Sequence, residues 1–264
     1  MKIHYLFVGL PDHHNFSGVS SYRKTILELL KIFSNYEIHF YFLDDDYYKL
    51  YFDKTFLDEL NINYTIGTFN YSEYVNFCIK NNKNKETYDI NMMTRSNPDK
   101  KKRAGYIQYY KVYKIFKLIK DYNEGDIVVR GRTDYIPIFN DSNLADINKP
   151  EKGWSNSPDV KIDYNVDLSK YDFKKLYTIG LHYTLHPYNY IWDGYFISNY
   201  DNIKIVAECG IKYDAKFYVK NWPWTRRDYY GGLPGEAQML IHLLKENVEI
   251  DTLGNKTSLY RINN

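Results

Sequence analysis

Apolar positions along this chain alternate between short continuous runs and longer blocks at helical spacing. Residues 3–9 read as a first strand, and the loop over 10–20 carries Pro11, Ser17 and Gly18 as turn formers. Ser20 or Ser21 then caps a helix in which Ile26, Leu29, Leu30 and Phe33 recur on one face. A second strand over 37–43 is stopped by Asp44, Asp45 and Asp46; residues 47–60 read as helix and 62–66 as a short third strand. Strand and helix in alternation predict a parallel, doubly wound sheet.

Residues 81–103 are polar, with Lys100, Lys101, Lys102 and Arg103 in a row, and read as a long loop. After it, Ile107, Tyr110, Val112, Tyr113, Phe116, Leu118 and Ile119 make a wide apolar helical face that ends at a turn over 123–125. A short buried strand follows over 126–129. Residues 141–171, rich in Asn, Asp, Ser, Lys and Pro, have no clear period and read as loop. Strands over 176–181 and 190–197, a helix over 201–209 and a helix over 236–246 complete the reading, the last with Met239, Leu240, Leu243 and Leu244 as its apolar positions. There is no internal repeat. Neither half looks complete alone, so residues 1–264 form one domain.

The strongest chemical signal is the segment GDIVVRGRTDYIPIFN, residues 125–140. Its apolar run breaks into Arg130, Gly131, Arg132, Thr133 and Asp134 where the strand is expected to end. In open α/β sheets, ligands sit beyond the carboxyl ends of the strands. A carboxylate there suits a divalent cation and guanidiniums suit phosphate oxygens, which together describe a nucleoside diphosphate site. The alternative is an exposed strand end with one Arg–Asp pair, since such surface pairs are common.

Composition narrows the field. Lys plus Arg total 35 against 33 Asp plus Glu, a net charge of +2, which gives no general field to draw nucleic acid or a membrane surface. Cys78 and Cys209 are the only cysteines, too few for a disulfide framework or a multi-cysteine zinc site. The opening MKIHYLFVGLPDHH is too short an apolar run for a signal core, and no later segment approaches the roughly 20 apolar residues of a spanning helix. The expectation is a soluble cytoplasmic protein without a transmembrane segment. No G-x-x-x-x-G-K-[ST] loop is present, which counts against a nucleotide hydrolase, and no G-x-G-x-x-G follows the first strand, where Gly9 stands alone.

Further candidates lie downstream. Asp193 sits beside aromatics in Trp192-Asp193-Gly194-Tyr195-Phe196, where Gly194 permits close approach of a ligand; an ordinary turn is the alternative. Glu236, after Leu233-Pro234-Gly235, falls in a first helical turn whose dipole favours its ionised form, as suits a base but also plain helix stability. Trp222 and Trp224 offer indoles for the apolar faces of a sugar, or for the core. His13 and His14 are adjacent and point apart, and His182 and His186 are four apart outside a helix, so a zinc site is not expected. His13 or Asn15 instead stands where a loop would touch a nucleotide.

In their order these features resemble the GT-A-type glycosyltransferases related to the WavE lipopolysaccharide-synthesis group and to similar enzymes of large DNA viruses. The residues that carry the resemblance are the opening strand with Gly9-Leu10, the helix from Gln108 with sequence QYYKVYKIF, the DIVVRGRTD segment, the strand DGYFIS from Asp193 and the PGEAQ run at Glu236. It spans most of the chain, with the Arg-x-Arg-x-Asp segment its most specific part. It implies a single GT-A-like, Rossmann-like α/β domain with a central, mostly parallel sheet flanked by helices. Residues 1–134 would then bind the nucleotide sugar and residues 135–264 shape the acceptor side. Asp134 takes the place of the metal-holding acidic residue for Mn²⁺ or Mg²⁺, while Arg132 occupies the place of the first aspartate of an Asp-x-Asp motif. The triple Asp44-Asp45-Asp46 lies after the second strand and reads as an acidic turn.

The resemblance thus implies transfer of a sugar from a nucleotide-sugar donor to a glycan or other hydroxyl acceptor, metal-dependent and inverting. Gly9, His13, Asn15, Arg95, Gln108, Arg130 and Arg132, with Arg103, are the donor-side candidates. Glu236 and then Asp193 are candidates for the base, and Trp222 and Trp224 for the acceptor surface. The rival is a non-catalytic binding protein on the same fold, holding glycans through the two indoles or RNA through residues 100–120.

Overall fold

The structure is a computed structural model and describes residues 1–9, 21–47, 49, 51–88, 104–133, 135–137, 139, 164–178, 181–182, 190–191, 195–212, 235–253 and 259–261. Strand β1 (Lys2–Val8) is apolar on both faces, sending Ile3, Tyr5 and Phe7 to one side and Leu6 and Val8 to the other, the composition of a central parallel strand. Helix α1 (Ser21–Ile32) leads to β2 (Glu37–Asp45), the short α2 (Lys54–Glu59), β3 (Asn63–Phe69), α3 (Tyr71–Lys80) and α4 (Lys85–Tyr88). Helix α5 (Ala104–Phe116) delivers the chain into β4 (Ile127–Arg132) and β5 (Tyr135–Pro137). Then come a 3₁₀ turn (Leu168–Lys170), β6 (Leu176–Thr178), β7 (Leu181–His182), β8 (Tyr190–Ile191), β9 (Phe196–Ser198), α6 (Tyr200–Lys212), α7 (Gly235–Lys245), β10 (Ile250–Thr252) and β11 (Leu259–Arg261).

Seven strands form one sheet in the order β10-β6-β9-β4-β1-β2-β3, all parallel where paired except β9, which runs antiparallel to both neighbours. The expected mostly parallel sheet between helix layers is therefore present. Helices α3, α5, α6 and α7 pack on the face of Leu6, Val8 and Val128; α1 and α2, with Val166 and Leu168, cover the face of Ile3, Tyr5 and Phe7. The chain moves outward from β1 through β2 to β3, then returns to the other side of β1 as β4. The order reverses between β1 and β4, the switch point at whose carboxyl ends ligands sit in open α/β sheets. No described helix is long and apolar enough to cross a membrane.

Several boundaries differ from the sequence reading. Strand β2 does not stop at Asp44 but runs through Asp45, because Asp44 and Asp45 each bond the turn that follows: Phe52 N donates to Asp44 Oδ1 at 2.8 Å and Tyr47 N to Asp45 Oδ1 at 3.0 Å. The expected helix over 47–60 is only α2, started where the Asp53 carboxylate accepts from Phe56 N at 3.2 Å. Helix α3, unanticipated, begins where Asn70 Oδ1 accepts from Ser72 N and Glu73 N at 2.9 and 3.2 Å. The single strand expected over 190–197 is split into β8 and β9, and Leu244, expected on the buried face of α7, is 53% exposed.

Candidate functional site

The carboxyl ends of β1 and β4 are locked together. Thr133 N donates to Val8 O at 3.3 Å, and Thr25 Oγ1, from the first turns of α1, donates to Thr133 O at 2.9 Å. Gly9 follows Val8 with φ +142, a conformation that L side chains rarely adopt, and a Cβ there would stand 2.5 Å from Thr133 Oγ1. Gly9, half-buried, therefore packs directly on Thr133 where β1 ends, at the point where the strand order reverses.

Arg132 lies opposite Val8, at the last position of β4, and is partly buried. Arg130 is a different case. Because β4 runs through Arg132 instead of ending at Val129, Arg130 is an interior strand residue between Leu6 and Phe196, 1% exposed, with its guanidinium 5.8 Å from the Phe196 ring centre. The two arginines expected side by side at the strand end thus divide, and Arg132 alone stands there. Gly131 between them takes the Tyr5 phenol against its backbone, where any side chain would collide with that hydroxyl. Burial holds the Tyr5 hydroxyl far above the ordinary tyrosine range.

Two helix starts reach the same edge. Lys111 of α5 makes a buried ion pair with Asp45, the last residue of β2, and its ammonium lies 4.6 Å from the Phe69 ring centre. Burial pulls the Lys111 pKa below its ordinary value, opposed by the Asp45 charge. Gln108, three residues nearer the start of α5, therefore belongs to the carboxyl edge. Gln238 Nε2 of α7 donates to Tyr106 Oη of α5 at 3.4 Å, which sets the first turn of α7, with Glu236 as its second residue, against the first turn of α5. Burial also raises the Asp44 pKa, with the hydrogen bond from Phe52 N opposing it.

Four sequence candidates, Gly9, Gln108, Arg132 and Glu236, are thus carried to one edge of the sheet by elements far apart in the chain. His13, Asn15, Arg95, Arg103, Asp134, Asp193, Trp222 and Trp224 lie outside the described residues. Among the described residues no group of three His, Cys, Asp or Glu is arranged to hold a metal ion. Thr25 and Thr133 were missed by sequence reasoning. The signal for Thr133 was its place inside the Arg-x-Arg-x-Asp segment; Thr25 gave none, since only packing of α1 brings it there.

The groups at this edge are a half-buried glycine at the end of β1, a guanidinium at the end of β4 and the first turns of α5 and α7; guanidiniums and helix starts both favour anions. A second polar cluster lies at the opposite, amino edge. There Asp126 accepts from Lys2 N at 2.8 Å and Asn123 N at 3.0 Å, His4 Nε2 lies 3.5 Å from its carboxylate, and His4 Nδ1 is 2.9 Å from Tyr41 Oη. Comparison with protein-family models and with curated proteins returns no match for this chain.

Proposed function

We propose that this chain is a nucleotide-sugar-dependent glycosyltransferase, moving a sugar from its donor to a glycan or other hydroxyl acceptor with inversion. The observation that carries the reading is the junction of Gly9, Thr133 and Arg132 at the reversal point of the sheet. Thr133 packs against the Gly9 backbone and joins the ends of β1 and β4 beside Arg132, whose guanidinium suits the charge of a diphosphate. In this reading Arg132 meets the diphosphate, and Arg130, buried beneath, is a positioning residue. A divalent cation held at Asp134 would neutralise charge on the leaving diphosphate. Glu236 is the first choice for the base that takes the acceptor's proton and Asp193 the second, with Trp222 and Trp224 offering faces to the acceptor sugar.

Of the tyrosines on which the rival RNA-binding reading would stack bases, Tyr106, Tyr109 and Tyr110 are buried in the core and Tyr113 is half-buried. The test is thermal stabilisation by UDP or GDP with and without Mn²⁺, followed by a panel of nucleotide sugars assayed for transfer and hydrolysis. A ligand at 100 times its Kd stabilises the fold by about 2.7 kcal/mol, an easily read shift in Tm. No shift with either nucleotide, together with salt-sensitive RNA affinity, would sink the transferase reading.

A further inference from the structure

We propose that Gln108 reads the base of the bound nucleotide, pairing its amide with adjacent donor and acceptor atoms on the base edge; the inference rests on reading the site as one for a nucleoside diphosphate. Gln108, Lys111, Val112 and Ile115 recur at helical spacing and so share one face of α5. Val112 and Ile115 are buried in the core with Leu6, Val8 and Leu43, which makes this the sheet-facing stripe. Lys111 meets the sheet where a strand stops: its partner Asp45 is the last residue of β2. Three residues of helix rise about 4.5 Å, and helical side chains lean toward the helix start. Gln108 is therefore carried past the end of β2, over the carboxyl edge, and is half-buried there. This accounts for an amide in a stripe that otherwise packs on the sheet.

The chemistry of the position favours a base over a phosphate. An ionised phosphate oxygen only accepts hydrogen bonds, whereas a primary amide offers two donors and an acceptor in one plane. A base edge presents donor and acceptor side by side and satisfies both halves of the amide at once. The local charge agrees. Lys111, the next residue of the stripe, is held in a buried pair with Asp45, so its charge is already offset by a carboxylate. Strand order agrees as well: β1 lies between β4 and β2, which sets the ends of β4 and β2 two strand spacings, about 10 Å, apart. That separation suits a nucleotide lying across the edge, with its diphosphate at β4 and its base at β2.

Calorimetry on the full chain with UDP, GDP and inorganic pyrophosphate tests this, with Mg²⁺ throughout and pyrophosphate as the base-free probe. Gln108→Ala should weaken nucleotide binding about 10-fold and leave pyrophosphate affinity where it was. Alanine is the stronger helix former, so this variant should melt near wild type. Gln108→Glu keeps the size of the side chain and gives a second readout that stands even if the Ala variant fails to fold. Its ionised carboxylate only accepts, which favours the two adjacent N–H groups of guanine over uracil, whose single N–H is flanked by carbonyls. The ratio of UDP to GDP affinity should therefore fall about 10-fold. A folded Ala variant with unchanged nucleotide affinity, an equal loss for pyrophosphate, or an unchanged ratio in the Glu variant overturns the inference. Wild-type protein that binds pyrophosphate as tightly as both nucleotides overturns the inference alone. Wild-type protein that binds none of the three overturns the underlying reading and the inference with it.

Discussion

A methyl group at position 9 would meet two separate obstacles: a φ of +142 that L residues rarely adopt, and Thr133 Oγ1 at 2.5 Å. The first is a backbone strain of about 1–3 kcal/mol and the second a steric overlap added to it. Thr133→Ala separates them, because the next nearest Thr133 atoms, Cγ2 and Cβ, lie at 3.3 and 3.4 Å. That hydroxyl is also buried without a hydrogen-bond partner, so removing it forfeits little. Gly9→Ala should therefore lower the urea midpoint and weaken UDP or GDP binding, while Gly9→Ala with Thr133→Ala should recover part of the loss. Full recovery would mean that overlap alone matters; no recovery would mean that the backbone conformation does. Arg130 shows how residue identity can mislead. An arginine in sequence signals surface, yet a strand two residues longer than expected turns this one into the sheet, over an aromatic ring.

At the scale of elements, the contact between α5 and α6 depends on a missing side chain. A Cβ on Gly210 of α6 would collide with the Tyr109 carbonyl of α5, so the two helices cross backbone against backbone. Gly210→Ala should push them apart and destabilise the fold by about 1–3 kcal/mol, the range for overpacking, despite the better helix propensity of alanine. Equilibrium denaturation measures it; a stabilised variant would show that the helices can shift at no cost. The same helix is tied to β2 by the buried pair of Lys111 and Asp45, where losing one partner leaves an uncompensated charge. Sequence periodicity found α5 because its apolar face is wide. It overlooked α3, whose Asn70 cap and Glu73 were visible but whose apolar positions, Tyr74, Phe77 and Cys78, are interspersed with polar ones.

Across the whole molecule, the candidate site occupies the carboxyl edge of the sheet while the histidine cluster occupies the amino edge. Burial lowers the His4 pKa, against the pull of Asp126, and lowers that of His39 to about 4, with the Lys2 and His4 charges adding and Glu37 and Asp121 opposing. Folded pKa values below the unfolded value mean that the unfolded chain binds protons first. Stability from these groups is complete above the ordinary histidine pKa of about 6.5 and is lost as pH falls from there towards 4. His39 is only half-buried, so solvent screens part of this and leaves on the order of 1–2 kcal/mol. Asp126 adds a second, more acidic window: burial opposes its charge, but bonds from Lys2, Asn123 and His4 win and depress its pKa, so its contribution fades only below its ordinary value. Melting temperatures taken from pH 7 to 4 should fall, and His39→Asn should flatten that fall. An unchanged slope would place the acid sensitivity elsewhere.

The sequence by itself determined the layers. Runs such as residues 3–8 and 127–129, apolar on both faces, can only be central strands, and the period of α5 commits it to a flanking helix, because solvation of apolar surface is a local property of each residue. Hence the α/β class and the positions of Gly9 and Arg132 at strand ends could be read from spacing. Which strands are neighbours was decided by tertiary structure: the return of β4 to the far side of β1, the antiparallel β9 between β4 and β6, and the pairing of β11 with β5. These pairings join residues far apart in the chain through backbone hydrogen bonds, which carry no side-chain signature. The meeting of Gly9, Thr25 and Thr133 and the burial of Arg130 both follow from that choice of neighbours.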